Sequence, residues 1–221
     1  MKEYLPLLRS IELFSGMDTV ELESMLGCIG ARVAPIRKGV VVLLAGETPL
    51  YVGVILTGQL HVIRESYNGD RALIAVLSAG DIFAEALCCA GVTSSPVTVV
   101  SDTDSEIALL SFDRILKTCA NSCSSHRKLI GNMLGLIAEK NLRLQSHMEI
   151  LELRSIRAKV THYLQSLATG HKREVVIPFN REELADYLCV ERSALSHELM
   201  RMKRDGLIEY NRNRFVLVTK R

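Results

Sequence analysis

The chain has 221 residues, of which 48% are hydrophobic and 24% charged, so it is globular and long enough for two domains. This composition excludes an intrinsically disordered protein. No apolar run approaches the roughly 20 residues that span a bilayer, and the N-terminus lacks the apolar core of a signal peptide. We therefore expect a cytoplasmic protein with no membrane partner, whose six cysteines are reduced thiols rather than a disulfide framework.

Charge is divided unevenly along the chain. Residues 154–221 carry 14 Lys and Arg against 8 Asp and Glu, whereas residues 1–153 carry 13 against 17. The C-terminal part is therefore basic and the N-terminal part acidic. A basic module beside an acidic one suits a protein that must attract a polyanion such as DNA.

The N-terminal part is patterned as a compact β domain preceded by a short helix over Thr19–Leu26. Aliphatic and β-branched runs alternate with glycine-containing turns every eight to twelve residues, which is typical of an antiparallel barrel or roll. Thr57-Gly58-Gln59 is one predicted turn, and Asn68-Gly69 predicts a type I′ hairpin turn. The predicted strands are Gly39–Leu44, Tyr51–Thr57, Leu60–Ser66, Arg71–Leu77, Val97–Ser101 and Glu106–Leu110.

A long helix between Ser124 and Leu151 carries apolar residues at alternating spacings of four and three, a heptad seam about three heptads long. Asn141 fills the one polar position of the seam, which favours a parallel, in-register dimer. A helix that packs on its own β domain would show a similar apolar face. The predicted dimer interface consists of Ile130, Leu134, Ile137, Asn141, Leu144, Met148 and Leu151.

After a basic run from Arg154 to Lys159, predicted to act as a hinge, the pattern indicates a helix over Ser155–Leu167 that ends at Gly170. Two further short helices follow. Asn180 can cap the first, with Glu183 reaching back to it, and Leu184, Ala185 and Leu188 share its buried face. Cys189–Glu191 form the break, and the second helix begins near Arg192 with Leu195, Leu199 and Met202 buried. This spacing predicts a helix-turn-helix.

The outward face of the second helix is polar and basic. Gly206-Leu207-Ile208 predicts a helix stop, and Ile208–Val218 predicts a hairpin around Asn211-Arg212-Asn213, which completes a winged helix. Ser193, Ser196 and His197 are candidates for base edges, while Arg192, Arg201 and the wing arginines suit phosphates. The full set of candidate DNA-binding residues is Arg181, Arg192, Ser193, Ser196, His197, Arg201, Arg212 and Arg214.

These motifs together resemble the CRP/FNR family of bacterial regulators over nearly the whole chain. The resemblance is carried by IRKGVVVLLAGE (Ile36–Glu47), LYVGVILTGQLHV (Leu50–Val62) and LSAGDIFAE (Leu77–Glu85), followed by the long helix and the winged helix. It implies an α+β fold with an antiparallel, jelly-roll-like β-roll in residues 1–120. It also implies a dimerisation helix in residues 121–152 and a winged helix-turn-helix in residues 153–221.

Within this resemblance, the cassette that binds cyclic AMP in some members is altered. Such members have a Gly-Glu pair and, about ten residues on, an Arg-Ser pair that neutralises the phosphate. This chain has Ala84-Glu85 and Ser95-Pro96, and it has Leu144-Gln145 where such members place Thr-Ser against the adenine. A buried phosphate without a charge partner is costly, so we expect an effector other than cyclic AMP. The predicted effector pocket comprises Phe83, Ala84, Glu85, Ala86, Ser95, Pro96, Val97 and Leu144.

The family's other effectors remain open to different degrees. A single N-terminal cysteine, Cys28, does not fit the family's iron-sulfur cluster. His61, His126 and His147 leave haem as a minor alternative. Thiol-based redox sensing or metal capture is a further one, because Cys88 and Cys89 are adjacent and Cys119 and Cys123 are four residues apart. We expect no cofactor and no metal; an organic acid or an aromatic compound is the preferred effector class.

The sequence thus predicts a homodimeric, effector-responsive regulator that reads a near-palindromic operator in double-stranded DNA through the helix near Arg192. Many relatives have Arg where this chain has His197, which changes the base that this position can read. RNA polymerase is a further expected partner if the protein activates transcription. A ligand-binding or scaffold protein built on the same roll is the alternative. No catalytic motif is present, so we do not expect an enzyme.

Overall fold

The computed structural model describes residues 1–65, 71–117, 124–168 and 173–218. The chain divides into two compact units, residues 1–139 and 140–221, and the division falls inside the predicted heptad helix. The predicted turn at Asn68-Gly69 and the predicted helix stop at Gly170 lie outside the described residues.

Two helices precede the β domain: α1 (Leu5–Ser10) and α2 (Thr19–Cys28). The second confirms the predicted helix and extends it by two residues. It begins with a capping box, in which the Asp18 carboxylate accepts from the N–H of Glu21 and the Glu21 carboxylate accepts from the N–H of Asp18. Its buried face packs in the larger apolar core of this unit.

The β domain consists of two four-stranded antiparallel sheets, ordered β1-β8-β3-β6 and β2-β7-β4-β5. This confirms the predicted antiparallel roll, and a strand lies at each of the six predicted positions. Two strands were not anticipated. Arg32–Ile36 contains Pro35, which suits the sheet edge where it lies, and Ile82–Phe83 is only two residues long. The strands are β1 (Arg32–Ile36), β2 (Val41–Leu43), β3 (Tyr51–Thr57), β4 (Gln59–Glu65), β5 (Arg71–Ser78), β6 (Ile82–Phe83), β7 (Thr98–Ser101) and β8 (Ser105–Ser111).

Strand β3 is buried on both faces, which explains its unbroken apolar run. One face, with Ile55, contributes to the core between the two sheets, together with Leu60 and Phe83. The other face, with Val52 and Val54, packs in the core that also contains the N-terminal helices. The roll is thus held by two apolar layers that share this strand.

A glycine at the centre of β3 makes room for an aromatic ring. Gly53 pairs with Phe83 of β6, and a Cβ atom built at Gly53 would lie 2.0 Å from the Phe83 ring. Phe83 is buried in the core between the sheets. Glycine therefore fits here because any side chain would compete with Phe83 for the same space.

Helix α3 (Glu85–Cys89) lies between β6 and β7, and the strands are followed by α4 (Phe112–Leu116) and the long helix α5 (Ser124–Glu152). The first half of α5 packs on the roll through Leu129 and Met133, which are buried in the same core as the N-terminal helices. The predicted seam residues Ile130 and Ile137 are partly buried against that core. The apolar face of this half of α5 is wider than two residues per heptad, so the roll covers part of both side chains, and their contact with a partner stays a prediction.

Other seam positions are open. Leu134, Leu144 and Met148 are 64%, 63% and 60% exposed, Asn141 is exposed and Leu151 is half-buried. Large apolar side chains on a helix surface usually mark a contact with another molecule. A strip of this helix that faces a partner therefore stays a prediction.

The described part of the second unit contains the end of α5, three further helices and a three-stranded antiparallel sheet whose central strand is Arg214–Leu217. Ser155, the first residue of the predicted helix, caps the first of these three helices by accepting from the N–H of Ala158, so the helix body begins one residue later than predicted. The three helices and the sheet share one apolar core. The elements are α6 (Ile156–Leu167), β9 (Glu174–Val176), α7 (Arg181–Tyr187), α8 (Arg192–Arg204), β10 (Ile208–Asn211) and β11 (Arg214–Leu217).

Within the four described stretches of chain, no helix combines the length and apolar character needed to cross a bilayer.

The contact between Gly53 and Phe83 makes a prediction about stability. Gly53→Ala should lower the free energy of unfolding by about 1–3 kcal/mol, because the added methyl group overpacks the roll. Gly27→Ala is the matched control: Gly27 lies in α2 with open space around its Cβ position, so the same change should raise helix stability by up to about 1 kcal/mol. Urea denaturation of the full chain measures both, and equal effects would contradict the close packing at Gly53.

Candidate nucleic-acid interface

Helix α7 begins where the sequence predicts, at the Asn180 cap. The Asn180 side-chain oxygen accepts from the N–H groups of Glu182 and Glu183 at 2.9 and 3.0 Å. The Glu183 carboxylate accepts from the N–H of Asn180 at 2.7 Å, which completes the predicted capping box. Leu184, Ala185 and Leu188 are buried, as their spacing predicts.

The connection between α7 and α8 spans residues 188–191, one residue more than predicted. Cys189 adopts a left-handed conformation with φ of 49°, and the N–H of Val190 donates to the carbonyl of Ala185 at 3.0 Å. This tight turn ends α7 and redirects the chain into α8.

Helix α8 begins at an acidic cap that the sequence analysis missed. The Glu191 carboxylate accepts from the N–H groups of Ser193 and Ala194 at 2.9 and 2.7 Å and from the Ser193 hydroxyl. These donors, the Ser193 hydroxyl first, hold the pKa of Glu191 below its ordinary value. The first-turn N–H groups that Glu191 binds are therefore already satisfied.

The two faces of α8 divide as predicted. Leu195, Leu199 and Met202 are buried against α6, α7 and the sheet. The outward face forms a shallow concavity of about 580 Å³. It brings together four of the predicted DNA-binding residues and adds two that were not predicted; it is lined by Glu191, Arg192, Ser193, Ser196, His197 and Met200.

Helix α6 holds α8 by ion pairs. The Arg157 guanidinium binds the Glu198 carboxylate at 2.6 Å and the Asp205 carboxylate at 2.8 Å, so it spans the second half of α8. Both hydrogen bonds raise the pKa of Arg157, that to Glu198 more. Arg201, a predicted phosphate contact, lies 3.5 Å from Glu198, which offsets part of its charge.

Lys159, a second basic residue of the predicted hinge run, holds the turn of the helix-turn-helix. The ammonium group of Lys159 is buried and donates to the carbonyl of Leu188 at 2.8 Å. This carbonyl lies at the end of α7, where helix carbonyls lack partners within the helix. Lys159 therefore fixes the point at which the chain turns from α7 towards α8.

The wing hairpin turns at Arg212 and Asn213, inside the predicted segment. Arg212 has a φ of 53°, and the Asn213 amide donates to the carbonyl of Ile177 at 3.1 Å. A cavity of about 700 Å³ between this turn and the start of α7 is lined by both Arg212 and Arg181. The structure thus brings two predicted DNA-binding arginines to one concave surface.

Two arginines near the wing are held by neighbouring side chains. The Arg181 guanidinium lies over the rings of Tyr210 and Phe215, at 5.3 and 5.8 Å from their centroids, and burial lowers its pKa. It remains charged, because arginine does not lose its proton in proteins. Arg214 binds the Glu174 carboxylate at 2.7 Å, so part of its charge is offset on the protein itself.

The roll contains a separate cavity of about 260 Å³, lined by Phe83 and Ala84 of the predicted effector pocket. Its other lining residues include Arg32, Glu47 and Tyr51, with the Arg32 guanidinium 5.1 Å from the Tyr51 ring centroid. Ala84 adopts a φ of 62°, a left-handed conformation that glycine accepts more readily. Arg32 was not among the predicted pocket residues, because nothing in its strand distinguishes it from an edge arginine.

The remaining predicted pocket residues do not line this cavity. Ser95 is buried, but its hydroxyl donates to the carbonyl of Val97 at 2.7 Å and its N–H donates to the carbonyl of Glu47 at 2.8 Å. Glu85 is buried at the start of α3, and Ala86 and Pro96 are exposed. Leu144 belongs to the second unit and is exposed. Ser95 therefore holds its own loop and joins it to Glu47, which lines the cavity.

The described His and Cys residues bear on the metal and thiol alternatives. Among the described residues, no group of three or more His, Cys, Asp or Glu could hold a metal ion. The Cys88 thiol contacts the carbonyl of Pro49 at 3.4 Å, and the Cys89 sulfur lies 3.5 Å from the sulfur of Met133. Burial, before neighbouring charges, raises the pKa of both thiols, to about 11 for Cys88. Cys119 and Cys123 lie outside the described residues.

Comparison with known proteins assigns each half of the chain. Residues 34–122 match the family described as Cyclic nucleotide-binding domain, and residues 158–221 match the family described as Crp-like helix-turn-helix domain. The chain is 28% identical over 184 residues to the Probable transcriptional regulator flp of Lacticaseibacillus casei, a match that covers 79% of this chain and 77% of that protein.

Solved structures show the same fold. The chain resembles DNR from Pseudomonas aeruginosa with a TM-score of 0.54 and 19% identity, covering 100% of this chain and 96% of the other. It resembles the Catabolite Activator Protein of Thermus thermophilus with a TM-score of 0.55 and 18% identity, covering 93% of each chain. At these identities the likeness shows the fold of the chain and does not identify a ligand.

The thiol environments make a prediction that bears on redox sensing. Near neutral pH, iodoacetamide should modify Cys88 at least about tenfold more slowly than the exposed Cys189, because burial blocks access to Cys88 and disfavours its thiolate. Peptide mass spectrometry over a time course of labelling measures both rates in one sample, so Cys189 serves as the internal control. Comparable rates would favour the thiol-based alternative for this regulator.

Proposed function

Because the chain belongs to the CRP/FNR family of bacterial transcriptional regulators, we propose that it acts as a homodimer that reads a near-palindromic operator through α8 and responds to a small-molecule effector. The Crp-like helix-turn-helix makes double-stranded DNA its target. The similarity to a probable transcriptional regulator over most of both chains supports the same role.

The outward face of α8 is the observation that carries the proposal. Its polar side chains line one concavity, while the opposite face of the helix is buried and its second half is fixed by Arg157. A helix that must enter a major groove needs such a rigid support and one polar side. Arg192 and His197, both exposed, supply hydrogen-bond donors on this face.

Phosphate contacts would come from the flanks of this helix. Arg181 and Arg212 share the concave surface beside the wing, and Arg181 is held in place by the aromatic rings beneath it. Ordered cations at fixed spacing suit the regular phosphates of a duplex and set the register of the helix. Arg214 contributes less, since Glu174 binds it on the protein itself.

Dimerisation would use the exposed strip of α5. Leu134, Leu144 and Met148 leave apolar surface uncovered along the helix, and Asn141 is the polar residue among them. Pairing two copies through this strip would bury that surface and place two copies of α8 on successive major grooves about 10 base pairs apart.

The effector would differ from cyclic AMP. No arginine stands in the Ser95-Pro96 segment, and the Ser95 hydroxyl is already bound to Val97. The cavity at Phe83 and Ala84, with Arg32 at its edge, suits a small organic compound that carries a negative charge and a planar group. RNA polymerase would be a partner if the protein activates transcription.

The deciding experiment is selection of bound duplexes from a random DNA pool by the full-length, reduced protein, with and without a small-molecule extract of cells. We expect enrichment of a palindrome whose half-sites lie about one helical turn apart. Enrichment only with extract would identify an effector-activated binder and provide an assay for the effector. Absence of enrichment in both arms would reject the proposed function and favour a ligand-binding or scaffold role.

The operator so obtained separates base contacts from phosphate contacts. His197→Ala should weaken binding to the operator about 5- to 100-fold, with little effect on binding to random duplex, because base contacts supply discrimination. Arg212→Asn should weaken both and reduce the slope of log Kd against log salt by about 0.9 for each phosphate that the variant no longer neutralises. Asn tolerates the left-handed backbone at this position, so the change removes charge with little strain.

Fluorescence anisotropy titrations at several salt concentrations give both quantities. An unchanged operator affinity for His197→Ala would remove His197 from the base-reading set. An unchanged salt slope for Arg212→Asn would remove Arg212 from the residues that bind phosphate.

A further inference from the structure

One side chain on the outward face of α8 is apolar. Met200 is 57% exposed, although it lies in a helix whose other methionine, Met202, is fully buried. It lines the same concavity as Ser193, Ser196 and His197. On a surface that reads the major groove, an apolar side chain can pack on the methyl group of a thymine.

The neighbouring serines are restricted in what they can offer to DNA. The Ser193 hydroxyl donates to the Glu191 carboxylate, and the Ser196 hydroxyl donates to the carbonyl of Arg192 at 2.9 Å. A hydroxyl has one hydrogen to donate and two lone pairs to accept with. Both serines are therefore left as acceptors while these bonds persist.

Besides the donors Arg192 and His197, the surface thus presents hydroxyl acceptors and an apolar group, and this last combination matches one kind of base pair. In the major groove an A·T pair shows the adenine N6 amino donor and the thymine C5-methyl group, with the thymine O4 acceptor between them, whereas a G·C pair has no methyl group. Ser196 can accept from the amino group, and Met200 can pack on the methyl group. Arginine, which reads guanine best, is absent at His197.

The spacing along α8 supports contact with bases. Ser193, Ser196, His197 and Met200 stand at i, i+3, i+4 and i+7, the spacing with which the recognition helix of homeodomains reads the major groove. Four residues at this spacing lie on one face of the helix. Met200 therefore lies on the same face as the residues that the proposed function assigns to base edges.

We propose that Met200 is a specificity-determining residue whose side chain contacts the C5-methyl group of a thymine in each half-site of the operator. This inference rests on the proposed function, since it concerns the DNA that α8 reads. It predicts that A·T pairs occupy the part of the half-site over the second and third turns of α8, where Ser196 and Met200 lie.

The test removes the methyl group from the DNA without changing any hydrogen bond. In the selected operator, each symmetric pair of thymines is replaced in turn by deoxyuridine, and Kd is measured by anisotropy at one salt concentration. We expect one pair whose replacement weakens binding by the wild type about fourfold per half-site, the effect of removing one buried methyl group.

Three variants complete the experiment. Met200→Ala should weaken binding to the thymine operator by a similar factor and should no longer distinguish thymine from deoxyuridine at that pair. Met200→Leu keeps an apolar side chain of similar volume and should retain most of the discrimination. Val20→Ala is the control for truncating an exposed apolar side chain, because Val20 is 76% exposed on α2 in the other unit, and it should behave as wild type.

The outcomes separate the two proposals. Failure to select any duplex would overturn the proposed function and this inference with it. A selected operator that tolerates deoxyuridine at every position, or a Met200→Ala variant that still discriminates thymine from deoxyuridine, would overturn this inference alone.

Discussion

The DNA-binding unit depends on two basic side chains of α6, Arg157 and Lys159, that bind the helix-turn-helix. Arg157 joins Glu198 and Asp205 of α8, and Lys159 binds the carbonyl of Leu188 at the end of α7. Glu198 is largely buried, so without Arg157 its charge would lack the partner that offsets its desolvation. Because both helices are tied to α6, the angle between them and the exposure of the reading face are fixed together.

This use of charge changes how the basic C-terminal part is understood. Its excess of Lys and Arg over Asp and Glu predicts an attraction to DNA, but several of these basic side chains bind Asp or Glu carboxylates of the same unit. Arg157, Lys203 and Arg214 each form an ion pair at 2.8 Å or less. The long-range field still follows net charge, whereas specific phosphate contacts need cations that are oriented towards the groove. Arg181 and Arg212, which line one concave surface, are the cations that the proposed function assigns to phosphates.

The sequence was sufficient to predict the features that hydrophobic periodicity and turn-forming residues determine. The six predicted strands, the Asn180 capping box and the buried faces of α7 and α8 follow from local patterns, and all are present. Local patterns do not give what tertiary contacts decide. Ile130 and Ile137 share the heptad spacing of Leu134, but only the fold shows that the roll covers part of their surface. Ser95 was predicted to line a pocket, yet its hydroxyl binds Val97 within its own loop.

The reading face shows why a list of outward residues does not by itself give a recognition code. Ser193 and Ser196 are outward, as predicted, but each hydroxyl hydrogen is already used within the helix or its cap. The acidic cap Glu191 consumes the first-turn N–H groups as well. The groups left to contact a base pair are the lone pairs of the two serines, the His197 imidazole, the Arg192 guanidinium and the Met200 thioether. An A·T pair, which has both an amino donor and a methyl group, is the base pair that can bind the serine lone pairs and the thioether together.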